Sequence, residues 1–349
     1  MKPKQLTIIA SLCLLIVSIG LFFTSVAQPL FGNGQEARSS ASPYRLSGPY
    51  THHNLTVFLV HGKDLTTKTF LTLQEALAQK KVQVYETKDV NSLAIRNLSQ
   101  QDVYIQAGDI VRGGDQDRMI SIDFIVPPRS GRMPIGAFCV ESGRWNKRGN
   151  EESASFSSSD NMVAMKDLKL AAKRQRSQQA VWENVSLAQE KLSAKVGVSV
   201  KSPDSASSLE LSVENQKVKE TTAAYIQSLS GILRNQPDVI GYVFAINGHV
   251  NSADVYASRA LFAKLWPKLL KASAVEAVAE LNKDGAVKEV ARESVYAFLT
   301  ESEKGKADAR QVTPRIRVVT KEDDKNIFFE TLDRAENDGW VHRNYIRKQ

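Results

Sequence analysis

The chain has 349 residues, 42% of them hydrophobic and 24% charged, ordinary globular proportions that argue against a disordered chain and allow one large domain or two modest ones. Its formal net charge of +8 is moderate, short of the excess that marks a dedicated nucleic-acid binder. Two cysteines, Cys13 and Cys139, are too few for a disulfide-stapled scaffold.

Residues 6 to 27, LTIIASLCLLIVSIGLFFTSVA, hold no charge and follow Lys2 and Lys4. A basic flank ahead of an apolar run is the pattern of an export segment, and Ser25 and Ala27 put small residues where a signal peptidase would cut before Gln28. The same length spans a bilayer as a helix, so residues 1–27 read either as a cleaved signal peptide or as a retained membrane anchor. In both cases Lys2 and Lys4 stay on the cytoplasmic side and the body is expected outside the cytoplasm, released if cleaved and tethered to the membrane if not. Residues 28–47, with Gly32, Gly34, Ser39, Ser40, Ser42 and Pro43, read as a flexible linker.

From Leu55 to Glu141, short apolar and β-branched runs alternate with turn residues, among them LTVFLVH, VQVYE, MISIDFIVP and PIGAFCVE. One helix is predicted near Thr69 to Gln79. After Arg118, Ile120, Ile122, Phe124 and Val126 share one face with Ser121 and Asp123 opposite, the alternation of a half-buried antiparallel sheet. The stretch EESASFSSSD, Glu151 to Asp160, reads as a loop and an internal boundary. A helix is predicted over Val163 to Lys195, with Val181, Val185, Ala188 and Leu192 on its apolar stripe. Its basic residues Lys166, Lys169, Lys173, Arg174 and Arg176 fit a solvated face or an anionic lipid surface better than nucleic acid. Ser202, Pro203 and Asp204 interrupt, and a helix near Lys217 to Arg234 follows. VIGYVFAI, the pair Asn247 and Gly248, and HVNSADVY then predict a β-hairpin. Ser258 to Thr300 reads as helical with a break at Asp284 and Gly285. Residues 301–349 read as a charged C-terminal tail with room for a strand at Thr313 to Val319. The expected fold class is therefore α+β, an antiparallel β-rich half over 48–150 and a mainly helical half over 161–300 containing the hairpin.

Two segments carry the candidate chemistry, QAGDIVRGGDQDR (Gln106 to Arg118) and CVESGRW (Cys139 to Trp145). Gly113 and Gly114 permit left-handed backbone that turns amides toward an anion, and Arg118 and Arg144 offer forked donors for phosphate or carboxylate. A tight hairpin with its arginines paired to Asp109, Asp115 and Asp117 fits the same residues. Glu141 shares a strand face with Ile135 and Ala137, so it must be paired, with Arg118 or Arg144, or functional. Cys139 is either a buried apolar residue or a nucleophile activated by His61 or Arg144. Trp145 can stack on a base or a sugar, or cap the core edge. No His-Glu-x-x-His, paired-cysteine or Gly-x-Ser-x-Gly pattern occurs, which leaves no cofactor or zinc site to expect.

These segments, with FLTLQEALAQKKVQVYE before them and QQAVWENV after, resemble the ARG and rhodanese-phosphatase-superfamily-associated protein domain, first type, over about residues 48 to 300. The resemblance rests on Gln116, Asp117 and Arg118, then Cys139, Val140 and Glu141, then Gly143, Arg144 and Trp145. That family is an uncharacterised domain whose name implies a link to ADP-ribose or other NAD-derived nucleotides, metabolites that are mainly cytosolic. The expected function is recognition of a small anionic ligand between the GGDQDR loop and the CVESGRW strand end, by Gly113, Gly114, Gln116, Arg118, Arg144 and Trp145. The alternative is an enzyme acting on a phosphate-bearing compound, with Glu141 or Asp117 as acid or base and Cys139 as nucleophile.

Overall fold

The computed structural model describes residues 43–162, 165–282 and 288–348. The expected signal or anchor, and the expected linker as far as residue 42, lie outside them. Among the described residues no helix is long and apolar enough to cross a membrane. The end of the expected linker is part of the fold, because Tyr44 and Leu46 are buried and the first strand starts at Arg45.

The architecture is α+β with three sheets. The largest has eight antiparallel strands in the order Arg45–His52, Leu55–His61, Val239–Ile246, His249–Tyr256, Gly339–Arg347, Asn326–Asp333, Ile316–Glu322 and Lys306–Gln311. Six antiparallel strands form the second, in the order Phe156–Met162, Asp109–Gly113, Arg118–Ile120, Met133–Cys139, Ser92–Asn97 and Val82–Tyr85. The third is small and mixed, joining Leu71–Thr72, Val103–Ile105 and Phe124–Val126.

Burial explains the sequence texture. Every residue of Leu55–His61 is buried, because the large sheet is covered on both faces at this strand. Leu55, Val57 and Leu59 join Tyr242 and Phe244 in one core, while Phe58 and Val60 join Val243, Val295 and Phe298 in another. The helix Arg259–Ala279 lies between the two larger sheets, touching Val239–Ile246 and Phe156–Met162. Local signals act where expected. Thr72 caps the helix Leu73–Ala78 in a reciprocal box with Glu75. Asn247 and Gly248 both adopt left-handed φ, 53° and 81°, as a primed hairpin turn requires.

The structure departs from the sequence reading at four places. Phe156–Met162, in the expected boundary loop, is a strand paired with Asp109–Gly113, and the described residues form one compact unit. The expected tail supplies four strands of the large sheet; Ile316, Val318, Ile327, Phe329 and Tyr345 are buried in them, although Arg317, Lys321, Glu330 and Arg343 are spread along the same strands. The run after Arg118 is two strands in two sheets, and Asp123 in the break turns inward to 3% exposure. The helix expected from Val163 is three pieces: Lys166–Leu170, a π-helical turn at Ala171–Gln175, and Gln178–Val196 capped by Ser177.

Candidate functional site

The strands Asp109–Gly113 and Arg118–Ile120 are joined by Gly114, Asp115, Gln116 and Asp117, and the turn depends on its glycines. Gly113 has φ 119° and Gly114 φ 57°. A Cβ on Gly114 would stand 2.5 Å from Cζ of Phe156, so Gly114→Ala is expected to lower stability by about 1–3 kcal/mol, read as a lower denaturation midpoint. The two amides are engaged within the protein. Gly113 N–H donates to Asp117 Oδ1 at 3.2 Å and Gly114 N–H to the Glu152 carbonyl at 3.0 Å. They hold the turn closed instead of pointing free amides at an anion.

Beside this turn four charged side chains form a buried box. Asp117 and Glu141 are both 0% exposed. Arg148 donates to Asp117 through both Nη1 (3.0 Å to Oδ2) and Nη2 (3.2 Å to Oδ1), and Arg144 Nη2 lies 2.7 Å from Glu141 Oε2. Arg148 also reaches Glu141 at 3.4 Å and Glu151 at 2.7 Å, so it bridges three acids. The Asp117 amide donates to Glu141 Oε2 at 3.1 Å, and Ser208 Oγ donates to Asp117 Oδ2 at 3.3 Å. Burial, then the neighbouring Glu141 charge, pushes the Asp117 carboxyl above its ordinary pKa. Burial acts the same way on Glu141, but hydrogen bonds from Arg144 and Ser205 outweigh it and hold Glu141 below the usual range. The two carboxylates thus share one site with their affinities for a proton driven apart.

The other expected residues are placed differently. Arg118 does not meet Glu141: its Nη2 spans both oxygens of buried Glu86, at 3.1 and 3.2 Å, and its Nη1 donates to the Asp89 and Val90 carbonyls. Asp109 pairs with Lys268, Asp115 with Lys88 and Asp117 with Arg148, so the three aspartates diverge. Gln116 is fully buried, and neither amide atom of its side chain has a hydrogen-bond partner among the described residues. Cys139 is 0% exposed, and burial raises its thiol pKa to about 11. His61 is bonded to Asp238 and Ser47 instead. Cys139 is accordingly expected to resist alkylation at neutral pH until the protein unfolds; fast labelling of the native protein would contradict this.

Above the box lies an open cleft of about 710 Å³. Arg144, Trp145, Lys147 and Arg148 line it together with Ser205 and Ser207. Trp145 is 58% exposed, unusual for so large an apolar side chain. Asp117 and Glu141 lie behind the guanidinium groups while Asp204 stands on the cleft wall, so a molecule entering the cleft meets three cations, one carboxylate, hydroxyls and an indole face.

Of the motif residues, Asp117, Glu141 and Arg144 thus form the box and Trp145 lines its cleft, while Arg118 and Cys139 turn toward Glu86 and Val90. Over residues 43–346 the chain matches the family model described as the ARG and Rhodanese-Phosphatase-superfamily-associated Protein domain. The chain belongs to this family. No curated protein and no solved structure matches it. The matched span runs past the expected limit near residue 300 and includes the last strand, in keeping with the place of the C-terminal strands in the large sheet. Within the domain, sequence reasoning missed Arg148, three residues beyond the quoted motif, and the serines of PDSASS, which read only as a helix break. Arg148 carried no local signal, because its place beside Asp117 and Glu141 is set by tertiary packing.

Proposed function

We propose that the domain binds a small anionic ligand carrying a flat ring or a sugar, in the cleft bounded by Arg144, Trp145, Lys147 and Arg148. The observation that carries the reading is the order of charge. Two buried carboxylates fix two guanidinium groups in the floor, and an exposed indole stands beside them. Fixed guanidinium forks recognise phosphate or carboxylate with little loss of side-chain entropy, and the indole offers a stacking face. A thermal-shift panel of ADP-ribose, nucleotides, sugar phosphates and inorganic phosphate tests it. Stabilisation by the ring- or sugar-bearing anions beyond that by phosphate supports the reading, and no shift with any of them contradicts it.

The opposed pKa shifts of Asp117 and Glu141 favour a second reading, in which the same cleft transfers a proton to a phosphate-bearing substrate. Both carboxylates are enclosed and fully bonded, which favours binding over chemistry. Turnover lost in Glu141→Gln would reverse that order. We place the body outside the cytoplasm on the strength of the hydrophobic N-terminal run. A C-terminal reporter that works only outside the cytoplasm is expected to be active, and an inactive reporter on a stable fusion would remove the assignment.

A further inference from the structure

A second, more enclosed cavity opens between the six-stranded and eight-stranded sheets, and its character comes from an irregular helix. The sequence KDLKLAAKRQR contains neither glycine nor proline, yet Ala171–Gln175 forms a π turn that ends at Arg176 in a left-handed conformation, φ 54°. One extra residue in the turn rotates the next residues by about 100° relative to an unbroken α-helix. Lys173 thereby leaves the solvent side. Its Nζ donates to Asn344 Oδ1 at 2.7 Å and stands 4.2 Å from the centre of the Phe329 ring.

The cavity measures about 100 Å³ and is lined at one end by Lys173, Arg176, Arg310 and Asp308. Arg176 and Arg310 form no ion pair within 4 Å among the described residues, unlike Arg118, Arg144 and Arg148. Burial and the neighbouring Arg176 charge both disfavour the charged form of Arg310. Asp308 opposes them only in part. The other acid on the wall, Asp123, is already satisfied by the Ala107 amide at 2.8 Å, Thr331 at 2.7 Å and His342 at 2.7 Å. Three cations and two acids thus line the cavity, and since Asp123 and Asp254 both act on Lys173, the excess of positive charge lies at Arg176 and Arg310. Ile122, Phe138, Val318 and Phe329 make an apolar part of the cavity wall, and Ser121, Thr320 and Thr331 add hydroxyls beside it.

We propose that this cavity is a second ligand site, separate from the Trp145 cleft, that takes a small carboxylate with a short apolar body. The carboxylate sits among Lys173, Arg176 and Arg310, and the body lies against Phe138, Val318 and Phe329. Plain phosphate fits the cationic end but leaves the apolar wall unused, and an alcohol of equal size fits the wall but leaves the cations unpaired.

The test is calorimetric titration of the full-length protein with butyrate, butan-1-ol and inorganic phosphate. Butyrate is expected to bind at one site, with butan-1-ol at least about tenfold weaker for want of a charge-assisted hydrogen bond, and phosphate at least about tenfold weaker for want of the buried propyl chain. Arg310→Gln and Arg176→Gln, at the mouth where substitution leaves the core intact, are each expected to weaken butyrate by a similar factor. Lys173→Met should do the same if it folds, as judged by an unchanged circular dichroism spectrum. Absence of butyrate binding overturns the proposal. So does binding that both mouth variants leave unchanged, or phosphate binding as tight as that of butyrate.

Discussion

Replacing His342 with alanine is expected to lower stability by about 3–5 kcal/mol, the range for removing one partner from a buried charged cluster. The imidazole is 1% exposed and lies between two buried aspartates, with Nδ1 2.7 Å from Asp123 Oδ2 and Nε2 3.0 Å from Asp254 Oδ1. Burial works against its protonation, but the two carboxylates outweigh burial and raise its pKa. Burial likewise raises the aspartates, and His342 more than offsets it, holding both below their ordinary range. Linkage sets the sign. The imidazolium contributes stability that is complete below the unfolded value of about 6.5 and is lost as pH rises through the raised folded value. The aspartates contribute stability present above about pH 4 and lost as pH falls through their lowered folded values. Urea unfolding of both proteins across this range should show the largest difference between about pH 4.5 and 6.5, narrowing on either side. A deficit below about 1 kcal/mol that does not vary with pH would show that the cluster carries no net charge coupling.

The second large effect concerns the box itself. Arg148→Ala is expected to cost about 3 kcal/mol or more, because it leaves Asp117, Glu141 and Glu151 with one fewer counter-charge while two of them stay out of water. Asp117 already has a raised pKa from burial and from Glu141, and loss of Arg148 takes away the bonds that oppose both. Adding Asp117→Asn should recover part of the loss, with a coupling of about 0.5–3 kcal/mol in a double-mutant cycle. Strict additivity would mean that the two side chains act independently. The same variant is expected to weaken any anion in the cleft, since the guanidinium faces both the acids below and the opening above.

Much of the fold was legible because local chemistry decided it. The Asn247–Gly248 turn, the helix Leu73–Ala78 and the apolar strands Leu55–His61 and Met133–Cys139 follow from turn geometry and side-chain period. The C-terminal strands were hidden because Arg317, Lys321 and Glu330 give them the look of a solvated tail, although Ile316, Val318 and most of Asn326–Asp333 are buried in the large sheet. Lys173 and Asp123 were read as solvent-facing for the same reason: a period alone cannot report a π turn or a strand break that inverts which side faces the core. The site was legible as a neighbourhood and not as a set of partners. Glu141 and Arg144 meet, one of the two pairings left open for Glu141. Arg118 turns to Glu86, and the partner that closes the box, Arg148, is fixed by tertiary packing that no local pattern encodes.

An anion with a ring or sugar, seated beside Trp145 on the two fixed guanidinium groups, is the central claim, and Trp145 reports on it directly. Its fluorescence can be separated from that of Trp182, Trp266 and Trp340 by subtracting the signal of Trp145→Phe, measured during titration with ADP-ribose, a nucleotide and a sugar phosphate. A saturable change for at least one of these ligands in wild type, absent in Trp145→Phe and weakened by added salt, is the predicted result. A Trp145 signal that stays flat for all three would contradict the account.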